Sequence, residues 1–186
     1  MGKRILITGG ARSGKSSFSE KLARNYGDKV LYIATAVAFD REMEYRIKKH
    51  QESRNKEWMT VETYKDIHKV IHKYGEDYSC FLLDCITVMA TNQLLEYFHY
   101  DMEYARIEDY NKAEEHIKEQ IVTMMEAAEA SPADIIMVTN EVGWGIVPEN
   151  PVARAFRDIA GRINQIVAER SDEVYLTVSG IPVRIK

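Results

Sequence analysis

Two short stretches carry the residues best suited to chemistry: G-G-A-R-S-G-K-S, Gly9 to Ser16, and R-I-K-K-H-Q-E-S-R, Arg46 to Arg54. The first fits G-x-x-x-x-G-K-[ST]. Backbone N–H groups of Gly9, Gly10, Ala11, Arg12, Ser13 and Gly14 can curl around phosphate oxygens, while Lys15 reaches the β and γ phosphates and Ser16 holds Mg²⁺. A helix opening directly behind them adds its dipole to the anion site. A plain glycine turn between strand and helix would leave Lys15 unexplained. What a phosphate cradle lacks is a carboxylate, and C-F-L-L-D supplies Asp84 at the C-terminal end of a buried strand, where open α/β sheets bind ligands. Asp84 is read as orienting Mg²⁺, partly through water. The alternative is an aspartate that merely closes the strand in a turn.

The second stretch places His50 among cations. Met43, Ile47, His50 and Arg54 recur at steps of three and four, so on a helix they share one face. His50 therefore points where the apolar residues point. Arg46, Lys48, Lys49 and Arg54 disfavour the imidazolium and attract a triphosphate. A neutral imidazole beside bound phosphate is a nucleophile for phosphorus; on local residues alone, a half-buried structural histidine fits as well. His68 and His72 stand four apart, but their neighbours are lysines and no third ligand is evident, so they read as a solvated face. His99 and His116 carry no constellation.

These side chains need a scaffold. Apolar runs bounded by turn residues recur at Arg4 to Thr8, Val30 to Thr35, Cys80 to Asp84, Ile135 to Asn140 and Val174 to Val178, each reading as a strand buried on both faces. Helical periods span Lys15 to Tyr26, Arg41 to Arg54, Asp66 to Tyr74, Ile86 to Phe98, Ala105 to Ala130 and Val152 to Arg170. The alternation predicts an α/β fold, a mostly parallel sheet with helices on both faces. In the tail, V-S-G-I-P-V-R-I-K, Gly180 and Pro182 turn one strand straight into another, which predicts an antiparallel C-terminal edge strand. Tyr97 to Lys112 is dense in aromatics and charges without a clean period; it reads either as a solvated connection between helices or as a subunit contact through its tyrosines.

At 186 residues and 45% hydrophobic, the chain suits one domain, residues 1–186. A net charge of -4 argues against nucleic acid as partner, because gripping it takes clustered basic residues in excess. Cys80 and Cys85 lack the spacing of a metal knuckle or disulfide framework and read as buried thiols. No apolar run approaches the ~20 residues of a membrane span, and none looks like a signal sequence, so a cytoplasmic protein is expected.

Taken in order, G-G-A-R-S-G-K-S, L-Y-I-A-T, E-M-x-x-R-I-x-x-H, L-L-D-C-I-T, V-T-N-E-V-G-W-G-I-V-P-E-N and F-R-D-I-A-G-R-I-N-Q closely resemble the bifunctional adenosylcobinamide kinase / adenosylcobinamide-phosphate guanylyltransferase family of cobalamin biosynthesis. The resemblance implies a P-loop NTPase fold of RecA-like type, ATP or GTP as phosphoryl donor to adenosylcobinamide, and transfer of GMP from GTP through a guanylyl-histidine to give adenosylcobinamide-GDP. By position His50 matches the guanylylated histidine. Where some relatives carry a second histidine just before it, this chain has Lys49. The same correspondence implies GTP contacts from Thr35, Ala36, Val37, Gln51, Glu52, Ser53, Arg54, Glu62 and Asp84, and a homotrimer. Glu62 is an acceptor suited to the N1–H and amino donors of guanine.

Without the resemblance, a monofunctional small-molecule kinase or a nucleotide-switched binding protein would fit the cradle equally. Trp144 is read either as a platform for a flat corrinoid or base, or as packed on the core in a rigid turn. The F-R-D-I-A-G-R-I-N-Q stretch reads as structural, with Arg157 and Arg162 as alternative phosphate contacts.

Overall fold

The computed structural model describes residues 1–38, 41–99, 101–102 and 105–186, apart from the side chains of Arg46 and Ser53. Strands β1 (Arg4–Thr8), β2 (Val30–Ala34), β3 (Met59–Glu62), β4 (Cys80–Asp84), β5 (Asp134–Val138), β6 (Glu173–Val178) and β7 (Ile181–Arg184) form a seven-stranded sheet of order β3-β2-β4-β5-β1-β6-β7. Every pairing is parallel except β6 with β7. The helices are α1 (Lys15–Ala23), α2 (Arg41–Ser53), α3 (Ile67–Tyr74), α4 (Ile86–Tyr97), α5 (Ile107–Ala130) and α6 (Pro151–Arg170).

Alternate strand residues fill two apolar layers, as the period of a strand buried on both faces requires. Leu6, Ile33, Phe81, Leu83 and Met137 pack against α3, α4, α5 and α6. Ile5, Ile7, Tyr32, Leu82 and Ile136 face the other way, with Ala23 of α1 and Trp58. Cys80 and Cys85 are buried free thiols within this second layer.

The five apolar runs and the C-terminal edge strand fall within two residues of where the sequence predicts them, but β6, next to the exposed edge strand β7, is only partly buried and not covered on both faces. β3 was not predicted. It lies at the sheet's far edge, and its Met59, Thr60 and Glu62 are exposed, so burial leaves no pattern in it. Helix ends differ by one to three residues. The α1 helix stops at Ala23 and Arg24–Tyr26 tightens into a 3₁₀ turn, while α6 starts at Pro151 because Asn150 caps it by accepting the Ala153 N–H. Tyr100, Glu103 and Tyr104, inside the aromatic stretch, lie outside the described residues; within it Tyr110 packs against the core.

Candidate active site

β1 ends at Thr8 and the cradle follows at once. Gly14 adopts a left-handed conformation, φ 98°, immediately before α1, and a Cβ there would stand 2.9 Å from the Cα of Gly180. The turn between β6 and β7 therefore braces the cradle from behind, and Gly180 N–H donates to Ser13 O at 2.8 Å. Ser13 Oγ is buried without a hydrogen-bond partner, an unmet polar atom inside a loop built for phosphate oxygens. Lys15 is buried and its ammonium donates to Gly10 O at 2.6 Å. Burial lowers its pKa, offset in part by the nearby Cys85, Asp84 and Glu141.

Asp84 stands at the end of β4, two strands from the cradle. Tyr32, on β2 and almost wholly buried, donates its hydroxyl to Asp84 Oδ2 at 2.9 Å. Burial and the adjacent carboxylate push this phenol far above its usual range, so it remains a donor. The same ring lies 4.5 Å beneath the Arg54 guanidinium. Arg54 is 11% exposed, has its Nε buried without a partner, and holds Nη1 3.9 Å from Glu62. Gln51 donates to the same Glu62 carboxylate at 3.1 Å.

Met43, Ile47, His50 and Arg54 do share one face of α2, and that face closes a cavity of about 220 Å³ whose far wall is Tyr32 and Asp84. His50 is half-buried in it. From α1, Glu20 approaches the same region: burial pushes its carboxyl up, opposed by His50, Arg24 and Arg54. A second cavity of about 420 Å³, which shares Ala36 with the first as a lining residue, is lined also by Thr35, Val37, Glu62, Tyr64 and Lys65.

The residues singled out in sequence thus assemble at one sheet edge, with qualifications. Thr35 is fully buried and its hydroxyl is committed, donating to Cys85 O and accepting from Cys85 N–H, both at 2.8 Å. It fastens β2 to β4 instead of offering its hydroxyl to a ligand. Glu52 is exposed and lines neither cavity. The Ser53 and Arg46 side chains lie outside the described residues. Arg162 is forked onto Glu114 at 2.5 and 2.6 Å, beside a broad hollow on α5, and Arg157 pairs with Asp158, so both serve the structural reading. Trp144 is 67% exposed, which excludes packing on the core. Tyr32, Glu20 and Glu141 are the site residues that sequence reasoning missed.

The family model described as cobinamide kinase / cobinamide phosphate guanyltransferase matches residues 5–185. The chain belongs to that family. Similar relatives of this kinase–guanyltransferase are the bifunctional adenosylcobalamin biosynthesis protein CobU of Escherichia coli K12, 46% identical over 98% of this chain and 99% of the relative, and that of Salmonella typhimurium LT2, with the same identity and coverage. The CobP protein of Pseudomonas aeruginosa is 38% identical over 98% of this chain and 97% of its own. A solved ATPase from a type III secretion system of pathogenic bacteria matches with TM-score 0.55 and 10% identity over 95% of this chain; the kinase–guanyltransferase spans about half of it, 51%, and the likeness shows the P-loop NTPase fold alone.

Proposed function

We propose that the chain carries out both family reactions at this one edge of the sheet. In the first, a nucleoside triphosphate sits in the Gly9–Ser16 cradle, Lys15 swings from Gly10 O onto the phosphates, and the γ-phosphoryl passes to the aminopropanol hydroxyl of adenosylcobinamide. In the second, a His50 ring nitrogen attacks the α-phosphorus of GTP. The bond to the bridging oxygen breaks, pyrophosphate leaves with the electron pair, and GMP remains on nitrogen. A phosphate oxygen of adenosylcobinamide phosphate then displaces His50 and forms adenosylcobinamide-GDP.

The observation that carries this reading is that His50 and Asp84 line the same cavity, with Lys15 in electrostatic reach of Asp84. Arg54, desolvated over Tyr32 with an unmatched Nε, is suited to a phosphate oxygen. Glu62, at the mouth of the adjoining cavity, suits the donor edge of guanine. Ser16 and Asp84 offer hard oxygens of the kind Mg²⁺ takes, and no group of three or more His, Cys, Asp or Glu among the described residues could hold a metal without a substrate's help. With the phosphates present, Mg²⁺ held by this pair, partly through water, supplies neutralisation of phosphate charge.

The working form is read as a homotrimer of single-domain chains in the cytoplasm, binding neither nucleic acid nor membrane. The family resemblance supports the trimer. Among the described residues, no helix is long and apolar enough to cross a membrane.

The test is labelling with GTP radioactive at the α phosphate. The protein takes up an acid-labile, alkali-stable label; His50→Ala abolishes it and keeps kinase turnover, while Lys15→Ala cripples nucleotide use in both reactions. A label that survived His50→Ala would move the nucleophile elsewhere.

A further inference from the structure

Phosphoryl transfer to an alcohol needs a group to take its proton, and the residues assigned above do other work: Lys15 is a cation, and Asp84 accepts from Tyr32 and would hold Mg²⁺. β5 lies between β1 and β4 in the sheet, so the chain leaving it emerges between the cradle and Asp84. Glu141 stands there. Its backbone N–H donates to Gly9 O at 3.0 Å. Its carboxylate Oε1 accepts from Thr8 Oγ1 at 2.7 Å and, more distantly, from Asn164 Nδ2 at 3.5 Å.

These donors are themselves fixed. Thr8 shares the parity of Leu6 and so faces the side covered by α6. Asn164 of α6 accepts from Thr139 Oγ1 at 2.7 Å and donates to Asn140 O at 3.0 Å, and Thr139 is bonded to Thr87 of α4 at 3.0 Å. Three elements, β1, α4 and α6, and the segment that follows β5 therefore fix one carboxylate beside the phosphate loop, before any substrate arrives. Both of its bonds end on Oε1, which leaves Oε2 for a substrate proton. Just beyond it in the same loop, Trp144, Ile146 and Val147 are 67%, 96% and 57% exposed, an apolar lip on the loop that Glu141 ties to Gly9.

We infer that Glu141 is the general base of the kinase reaction and that the Trp144–Val147 lip receives the body of the corrinoid. The inference rests on the kinase reading above. The hydroxyl O–H bond breaks and its proton passes to Glu141 Oε2. The substrate oxygen forms a bond to the γ-phosphorus of the nucleoside triphosphate, and the bond from that phosphorus to the β,γ-bridging oxygen breaks, leaving a nucleoside diphosphate that carries the electron pair. The macrocycle's apolar face covers Trp144 while its aminopropanol arm reaches inward past Glu141.

The experiment uses the full chain with adenosylcobinamide and ATP or GTP, alongside the His50 label from GTP. Glu141→Gln keeps an acceptor for Thr8 but takes no proton: kinase kcat falls on the order of 100-fold or more, and the His50 label persists. Glu141→Asp restores part of the rate. Trp144→Ala raises the corrinoid KM. Wild-type kcat in Glu141→Gln sinks the assignment, and loss of the label together with turnover does too, because Glu141 would then be a structural prop. If Glu141→Gln does not fold, Thr8→Val removes the donor and keeps the carboxylate; a lowered kcat at unaltered nucleotide KM is expected, and an unaltered kcat overturns the base. Trp144→Ala that changes oligomer size but not corrinoid KM makes the lip a subunit contact instead. A wild-type enzyme that phosphorylated no cobinamide would fail the kinase reading itself, whereas turnover shared equally by wild type and Glu141→Gln fails the base alone.

Discussion

At the scale of single residues, Tyr32 shows how a core side chain can serve two parts of a site. Its hydroxyl fixes Asp84 and its ring seats Arg54. Tyr32→Phe separates the two duties, because it retains the ring and deletes one hydrogen bond to a charged group, a loss of about 1.5 kcal/mol. Kinase kcat should therefore fall about tenfold while labelling of His50 changes less; equal losses in both would mean that the tyrosine acts only through packing. Tyr32 was illegible in the sequence because V-L-Y-I-A-T is buried throughout and gives no hint of which side chain meets a polar partner. His50 was legible only as a position on a face. That face proved correct, since α2 repeats its apolar steps, but spacing alone left the histidine's role open and the family resemblance supplied it. Thr35 went the other way: the family resemblance offered it to GTP, and its hydroxyl is spent on the backbone of Cys85.

At the scale of elements, the cradle depends on a partner that no local motif announces. G-G-A-R-S-G-K-S specifies a phosphate loop by its own glycines, yet Gly9 and Gly14 are also required by the C-terminal hairpin: a Cβ on Gly9 would meet Thr177 O at 2.4 Å, and one on Gly14 would meet Gly180 Cα at 2.9 Å. Gly14→Ala adds this clash to an unfavourable positive φ, together roughly 1–3 kcal/mol of strain. We expect it to weaken ATP and GTP binding about tenfold or more in equilibrium dialysis, with the far-ultraviolet spectrum unchanged; unaltered binding would show that the hairpin does not brace the loop. Strands buried on both faces were readable because they form continuous apolar runs. β3 was not, being a short exposed edge, and so the placement of Glu62 beside Arg54 and Gln51 could not be read from spacing.

For the molecule as a whole, the chemistry gathers at the C-terminal ends of the strands, and the opposite end is tied for stability. There Arg4 of β1 grips Asp172, before β6, through its backbone N–H at 2.8 Å and through Nε and Nη2 at 3.0 and 2.7 Å. Hydrogen bonding from Arg4 draws the Asp172 carboxyl from its ordinary 3.8 down to about 2. A depressed carboxyl stabilises the fold above its ordinary range and loses that contribution as pH falls towards the folded value. The Asp172 side chain is 41% exposed, so solvent screening limits the effect to roughly 1 kcal/mol. Asp172→Asn should lower urea stability by about that amount at neutral pH, and the gap to wild type should close between pH 3.8 and about 2. A gap independent of pH would assign the effect to packing.

The most direct measurement is to locate the covalent GMP. After incubation of the full chain with GTP, the protein is digested at alkaline pH and the modified peptide sequenced by mass spectrometry. The account predicts GMP on His50 and on no other side chain. GMP on a lysine or on another histidine, or a fully active guanylyltransferase that never carries GMP, would contradict it.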